Sequence, residues 1–176
     1  MSKFGKKFIS AALSLMFILV FAIPTFAAPQ NGYLDTTDAY TELNNFRASS
    51  QAWYWNSDNR TKTNAVGKLK PLKRDPQLEQ TAKIRAKEIA QKFSHTRPNG
   101  TSCFTAYPSG LTAKGENIAA GQTSAKEVTE DWMETNNRYS GQGHRRNMLD
   151  SKYNAVGIAC YVSGGTYYWV QSFGKV

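Results

Sequence analysis

The sequence predicts an α+β domain in which helices pack on an antiparallel sheet. Two segments have a helical pattern of apolar residues, "RDPQLEQTAKIRAKEIAQKF" and "TSAKEVTEDWMETNN". Near the end of the chain, two runs rich in β-forming residues, "YNAVGIACYV" and "YYWVQSFG", flank the turn "SGGT". Because helices come first and strands close the chain, the order favours α+β over alternating βαβ units.

The first 27 residues predict a signal peptide rather than part of the fold. "MSKFGKK" is basic, "FISAALSLMFILVFAI" is apolar, and "PTFA" ends in small residues, which predicts cleavage after Ala27. The apolar run is short for a membrane span, and no later segment is apolar enough to cross a bilayer. An uncleaved N-terminal anchor is the alternative. We expect a secreted monomer with a polar leading segment at residues 28–39 and one domain at residues 40–176.

The net charge favours anionic partners in the cell envelope. The chain of 176 residues carries a formal charge of +9, and cleavage removes three of these charges with Lys3, Lys6 and Lys7. The remaining excess is moderate and spread along the chain, as suits anionic polymers or lipid headgroups. No basic stripe with interleaved aromatic residues is present, so the sequence argues against nucleic acid as a partner.

Two cysteines, Cys103 and Cys160, remain after export. An even number in an oxidising compartment favours one disulfide between them. Two buried free thiols and a cysteine nucleophile beside a histidine are the alternatives. Cys160 lies in the apolar run "VGIACYV", which is a poor environment for a reactive thiolate.

The first helix is predicted in "DAYTELNNFRA", where Tyr40, Leu43 and Phe46 recur at helical spacing. The next segment, "AWYWNSDNRTKTNAVGK", is rich in Asn, Thr, Ser and Gly and predicts a long loop over residues 53–68. Its aromatic run, residues 53–55, either anchors this loop to the body or forms a platform for a ligand.

The clearest helix follows, because Asp75 is a natural N-cap and Pro76 suits the first helical position. This helix places His95 just beyond its end, on a rigid support. One apolar stripe is predicted to face the sheet, made of Leu78, Ala82, Ala86, Ile89, Ala90 and Phe93.

The later segments display further polar residues. "AKGENIAAG" carries Glu116 between glycines, and the second helix begins with a capping box formed by Ser124 and Glu127. "NNRYSGQG" ends that helix, and "HRRNMLD" predicts a helical turn that carries His144. The arginines at 145 and 146 are expected on a solvated face or paired with Asp150.

Four runs occur in one order: "FSHTRPNG", "GENIAAG", "EDWMETNNRYSGQGHRRNML", and "VGIACYV" followed by "YYWVQSFG". This ordered set resembles the CAP superfamily of cysteine-rich secretory, antigen 5 and pathogenesis-related proteins, in its bacterial secreted form. The resemblance covers roughly residues 40–174, and residues 53–68 are least like the common pattern. It implies a three-layer α-β-α sandwich with a central antiparallel sheet and a cleft.

The resemblance also implies a cleft that holds two histidines and two acidic residues. His95, Glu116 and His144 match three of these positions. The fourth acid normally stands three residues after the helix tryptophan, where this chain has Thr135. The neighbouring Glu134 is one step along a helix, a rotation of about 100°, so both Glu134 and Thr135 remain candidates to complete the cleft.

Two imidazoles and a carboxylate, His95, His144 and Glu116, suit a weakly held divalent cation such as zinc with open coordination positions. The sequence contains no HExxH, GxSxG or Gly-rich phosphate loop, which argues against several enzyme classes. We therefore expect a binding or scaffold module for an apolar or cell-envelope ligand, with lipid, cell-wall polymer or protein as partners. A metal-assisted hydrolase of peptides or wall polymer, with Glu116 as base or ligand, is the alternative. Charge-driven association with the envelope is a third hypothesis.

Overall fold

The computed structural model describes residues 30–176, so the signal peptide predicted for residues 1–27 lies outside the described residues. The described residues form four α-helices, seven strands and two short 3₁₀ turns, Cys103–Ala106 and Tyr139–Gly141. The helices are α1 (Thr37–Ala48), α2 (Pro76–Gln91), α3 (Ala125–Met133) and α4 (Gly143–Leu149). The strands are β1 (Gly32–Leu34), β2 (Trp53–Trp55), β3 (Lys62–Asn64), β4 (Lys73–Arg74), β5 (Lys114–Ala120), β6 (Ala155–Ser163) and β7 (Thr166–Gly174).

The main sheet is built on the C-terminal hairpin. Its strand order is β1-β6-β7-β5 with antiparallel neighbours, and β4 adds a short parallel pairing to β6. The predicted hairpin is confirmed, because β6 and β7 are joined by Gly164 and Gly165 with φ angles of 56° and 79°. These positive φ angles are the ones that a two-residue hairpin turn needs, and glycine reaches them without steric cost.

Helices cover both faces of this sheet, which confirms the predicted three-layer α-β-α sandwich. On one face α2 packs Ala82, Ala86 and Ile89 against Ala159 and Val170. On the other face α1, α3 and α4 share a larger apolar core with the sheet, which includes Leu43, Trp132, Met148, Ile158 and Trp169. Alternate side chains of β6 enter the two cores, as the two-residue period of a strand requires.

The N-terminus of α2 has the predicted cap. The side chain of Asp75 accepts hydrogen bonds from the backbone N–H groups of Gln77 and Leu78, and Pro76 occupies the first helical position. The predicted stripe is right for Leu78, Ala82, Ala86 and Ile89, which are at most 1% exposed. It is wrong for Phe93, which is 54% exposed because the helix ends at Gln91.

Four segments without predicted strands contain them, and two of these segments form β4 and β5 of the main sheet. Within the leading segment, β1 pairs with residues 160–162 of β6. Residues 53–68 include the β2–β3 hairpin rather than a plain loop, with Trp53 opposite Asn64. The Lys62 ammonium lies 3.6 Å from the ring centroid of Trp53 and 4.4 Å from that of Trp55, which holds the two strands together. The Trp53 ring also contacts α4, because the Arg145 guanidinium lies 4.4 Å from its centroid.

The predicted disulfide between Cys103 and Cys160 is wrong, because both residues are buried free thiols. Cys160 lies in the core formed with α1, α3 and α4, opposite Trp169 in the hairpin. Cys103 instead begins a 3₁₀ turn that contacts α2 and lines a pocket with His95 and Glu116. The two thiols thus belong to different layers. Burial raises the pKa of the Cys160 thiol to about 12.

In residues 30–176 no helix combines the length and apolar character that crossing a bilayer demands.

Candidate functional site

A polar cleft lies beside β5, the strand at one end of the sheet order, where the two helical layers meet. The pocket has a volume of about 410 Å³. A second pocket of about 450 Å³ adjoins it and shares His95, Glu116 and Asn147. The first pocket is lined by His95, Glu116, Glu134, Ser140, Gly141, Gly143, His144, Arg146 and Asn147. All three predicted site residues therefore lie in one cleft.

One wall is built on a buried carboxylate. Glu116 is 5% exposed and accepts from Arg85, whose Nε lies 2.7 Å from Oε2. Its other oxygen, Oε1, is 2.8 Å from Nδ1 of His95. Arg85, on α2, has no exposed surface and also donates to the carbonyl of Ser94. A buried arginine paired in this way neutralises the carboxylate and sets its position.

The turn that carries His95 is held against α2 by further ionic contacts. Arg97 donates to both carboxylate oxygens of Glu88, with distances of 2.7–3.1 Å. Glu88 also pairs with Arg85, so the three charges form one network with Glu116. The backbone N–H of Cys103 donates to the carbonyl of His95 at 2.9 Å. The imidazole therefore has a rigid support, as its position after α2 predicted.

The opposite wall pairs His144 with Glu134. Nδ1 of His144 lies 2.7 Å from Oε1 of Glu134, while Oε2 accepts from the backbone N–H groups of His144 and Arg145 at 3.0 and 3.3 Å. Of the two candidates for the fourth position, Glu134 and not Thr135 lines the cleft. Helix α3 ends at Met133, and Glu134 has left-handed backbone angles (φ 45°, ψ 39°), so helical rotation does not set its direction. Thr135 contacts Arg145 instead.

Arg145 is buried, contrary to the expected solvated face. It has no exposed surface, and its guanidinium donates to the carbonyls of Gln51, Trp53 and Met133. These bonds join the β2–β3 hairpin to the end of α3, and Glu134 is the next residue after that helix. Burial lowers the pKa of Arg145 to about 10, partly offset by Glu134.

Two asparagines join the two walls across β5. Asn117 donates to the backbone carbonyl of His144 at 3.1 Å. Asn147, on α4, donates to the carbonyl of Glu116 at 3.2 Å and to Oδ1 of Asn117 at 2.8 Å. A displacement of α4 would therefore change the positions of both imidazole–carboxylate pairs.

Sequence reasoning did not single out Arg85, did not foresee the burial of Arg145, and did not decide between Glu134 and Thr135. For Arg85 a signal was present, because it lies seven residues after Leu78 and three after Ala82, within the apolar stripe of α2. A charged residue at a core-facing position is expected to have a buried partner. No comparable local signal marks Glu134, whose direction depends on where α3 ends.

Residues 40–173 match the model of the cysteine-rich secretory protein family, CAP. The chain belongs to the CAP family. The match covers both walls of the cleft and confirms the resemblance inferred from the ordered motifs. It leaves the activity open, because one fold supports many functions.

Other CAP-related proteins resemble this chain over different extents. The chain is 35% identical over 112 residues to an uncharacterised protein, YkwD, of Bacillus subtilis strain 168, a match that covers 61% of this chain. It spans only 41% of the length of that relative. An outer surface protein of Borrelia burgdorferi has a similar fold, with a TM-score of 0.59 and 20% identity over 83% of this chain and 98% of that one. NaASP2, whose crystal structure is described with Zn²⁺, has a TM-score of 0.52 and 18% identity over 85% of this chain and 88% of that one.

In this CAP cleft both rings use Nδ1 for a carboxylate, so Nε2 is the ring nitrogen that no carboxylate holds. A carboxylate at the other ring nitrogen orients an imidazole and raises its basicity, as in many metal sites. A hydrogen bond to Cys103 and a second one to Glu116 raise the pKa of His95 to about 9. A cation that binds this ring near neutral pH must therefore displace a proton.

Proposed function

We propose that this CAP protein is a secreted binding module whose cleft takes a polar cell-envelope ligand with the help of a divalent cation. The observation that carries the proposal is the pair of imidazole–carboxylate couples on opposite walls of one cleft. Imidazole nitrogen is a preferred ligand of zinc. His95 and His144 would hold the cation through Nε2, and Glu116 would act beside them. The Zn²⁺ in the NaASP2 structure supports the choice of metal.

The two carboxylates fit a supporting role better than a catalytic one. Both oxygens of Glu116 already accept hydrogen bonds, from Arg85 and His95. Both oxygens of Glu134 are likewise engaged, by His144 and the backbone of Arg145. Glu116 is therefore poorly suited to act as the free base of a hydrolase, and we favour binding over hydrolysis. The bound cation would supply a Lewis-acidic position for an oxygen of the ligand.

The lining of the cleft favours a polar, anionic ligand over a lipid chain. Arg146, Ser140 and Asn147 line the first pocket, and Lys114 lines the second. The positive net charge would attract anionic envelope polymers from a distance. Export through residues 1–27 would bring the protein to that compartment. The structural neighbour from Borrelia burgdorferi is described as an outer surface protein, which supports this location.

Zinc binding should depend on both histidines and on pH. Residues 28–176 are titrated with zinc by calorimetry at pH 7.5 and 5.5, beside His95→Ala and His144→Ala. Each substitution should weaken binding at least about tenfold, by analogy with the loss of other contacts at metal sites. Binding should weaken as the pH falls, because the metal competes with protons for the imidazoles. The control is Glu130→Gln on the exposed side of α3, which should bind as the wild type does. Equal affinity in all four proteins would contradict the metal proposal.

Envelope binding should depend on the cation. Mature protein is sedimented with isolated cell envelopes, with and without EDTA. We expect most of the bound protein to be released by EDTA and little of either histidine variant to sediment. The competing charge-driven hypothesis predicts that high salt releases the protein, since salt screens exposed charges, whereas EDTA and the histidine substitutions have no effect.

A further inference from the structure

The thiol of Cys103 lies beside the His95–Glu116 pair. Ligand atoms of His95, Cys103 and Glu116 are all within 4.8 Å of one another. Cys103 is 3% exposed and lines the second pocket together with the other two residues. It is not consumed by a disulfide, because the Cys160 side chain enters the core between the sheet and α1, α3 and α4. None of the sequence motifs assigned this thiol to the cleft.

The backbone holds Cys103 next to the imidazole. An isolated β-bridge pairs Thr96 with Ser102 and folds the turn between them back on itself. The next residue, Cys103, donates its N–H to the carbonyl of His95, so the turn closes on the histidine. The Ser102 side chain then caps the 3₁₀ turn by accepting from the N–H of Phe104. The closeness of thiol and imidazole therefore does not depend on two flexible side chains alone.

Thiolate sulfur and imidazole nitrogen are the ligands that zinc prefers, at about 2.3 and 2.0 Å. Two such ligands in a tetrahedral site lie roughly 3.5 Å apart, which is inside the observed 4.8 Å limit. Magnesium and calcium prefer oxygen ligands and are disfavoured by a thiolate.

We propose that Cys103 is a ligand of the cation in this cleft and makes it a mixed nitrogen–sulfur site that selects zinc-like metals. This inference rests on the proposed function, because it names the ligand that defines the metal class. Cys103 and His95 supply two ligands from the wall that Glu116 also forms. Glu116 acts as the carboxylate partner of His95. The thiol proton passes to the buffer when the sulfur binds the metal, so no oxidant or reductant is required.

Cobalt(II) tests the proposal, because it substitutes for zinc and a thiolate ligand gives it a charge-transfer absorption band in the near ultraviolet. Mature protein kept reduced is titrated with cobalt, and absorption and heat are measured on the same samples. The variants are Cys103→Ser and, as the matched control, Cys160→Ala. We expect the band in the wild type and in Cys160→Ala, and its loss in Cys103→Ser. Circular dichroism on each variant verifies that it is folded, and Cys103→Ala replaces Cys103→Ser if the latter does not fold.

The outcomes separate the two proposals. Cobalt that binds with measurable heat but no charge-transfer band overturns the role of Cys103 and leaves the histidine site standing. A charge-transfer band that survives in Cys103→Ser also overturns the role of Cys103, because the sulfur ligand would then be another residue. Absence of binding in the wild type, by heat and by absorption, overturns both proposals. A competition series with excess magnesium and calcium should leave the band unchanged, and its displacement by either metal would contradict the selectivity.

Discussion

Replacing Gly157 by alanine is expected to lower the free energy of unfolding by more than about 3 kcal/mol, or to prevent folding. An added methyl group in a packed core usually costs about 1–3 kcal/mol, and the cost is higher here because the new methyl group would overlap backbone atoms. Gly157 lies in β6 directly against the first turn of α2. A Cβ at this position would lie 2.0 Å from the carbonyl carbon of Leu78 and 2.1 Å from the N of Glu79. These are backbone atoms, so the helix itself would have to move. Urea unfolding followed by tryptophan fluorescence measures the change.

Gly143→Ala is the matched control. Gly143 is the first residue of α4, and a Cβ there would meet no atom within 4 Å. Alanine is the better helix former by up to about 1 kcal/mol, so this variant should be as stable as the wild type or slightly more so. A Gly157→Ala protein that unfolds within about 1 kcal/mol of the wild type would contradict the close approach of α2 to the sheet.

Replacing Arg85 by methionine is expected to lower the free energy of unfolding by about 3–5 kcal/mol, because it leaves a buried carboxylate without its partner. The Arg85 side chain has no exposed surface, and that of Glu116 is 1% exposed. The loss should also release Glu116 and so disturb His95. Adding Glu116→Gln removes the unpaired charge and should restore part of the stability. Urea unfolding of the two single variants and the double variant gives this coupling energy.

An exposed ion pair that also involves α2 provides the control. Arg74 pairs with Glu79 at 3.0 Å, and 47% of the arginine side chain is exposed. Solvent-exposed pairs contribute about 1 kcal/mol or less, so Arg74→Met should have a small effect. Equal losses in Arg85→Met and Arg74→Met, or no recovery in the double variant, would show that the buried pair does not anchor this wall of the cleft.

The parts of the fold that were predicted from the sequence have local causes. The cap at Asp75 and Pro76 involves neighbouring residues, and the positive φ angles at Gly164 and Gly165 are intrinsic to glycine. Strands β1, β2 and β3 have three residues each and were missed. Such short strands have little pattern of their own and form because a partner strand is present.

In the candidate site, too, the residues with a local sequence signal were predicted and those that depend on tertiary contacts were not. His95, Glu116 and His144 were found because short motifs occur in a recognisable order. The choice between Glu134 and Thr135 could not be made from the sequence, because it depends on α3 ending at Met133. Arg85 was not singled out, because arginine on a helix usually points to solvent. The disulfide was predicted from the number of cysteines, which contains no information about the faces of a sheet.

The amino-acid sequence by itself determined the helices, the C-terminal hairpin and the three motif residues of the cleft. These depend on residue spacing, capping and turn geometry within about a dozen neighbouring residues. Only the tertiary structure decided that Glu116 is neutralised by Arg85, that Glu134 completes the second histidine pair, and that Cys103 joins the cleft while Cys160 enters the opposite core. The physical reason is that a buried charge or thiol takes its partner from whatever packs against it, and α2, β5 and the end of α3 meet only after the layers have stacked.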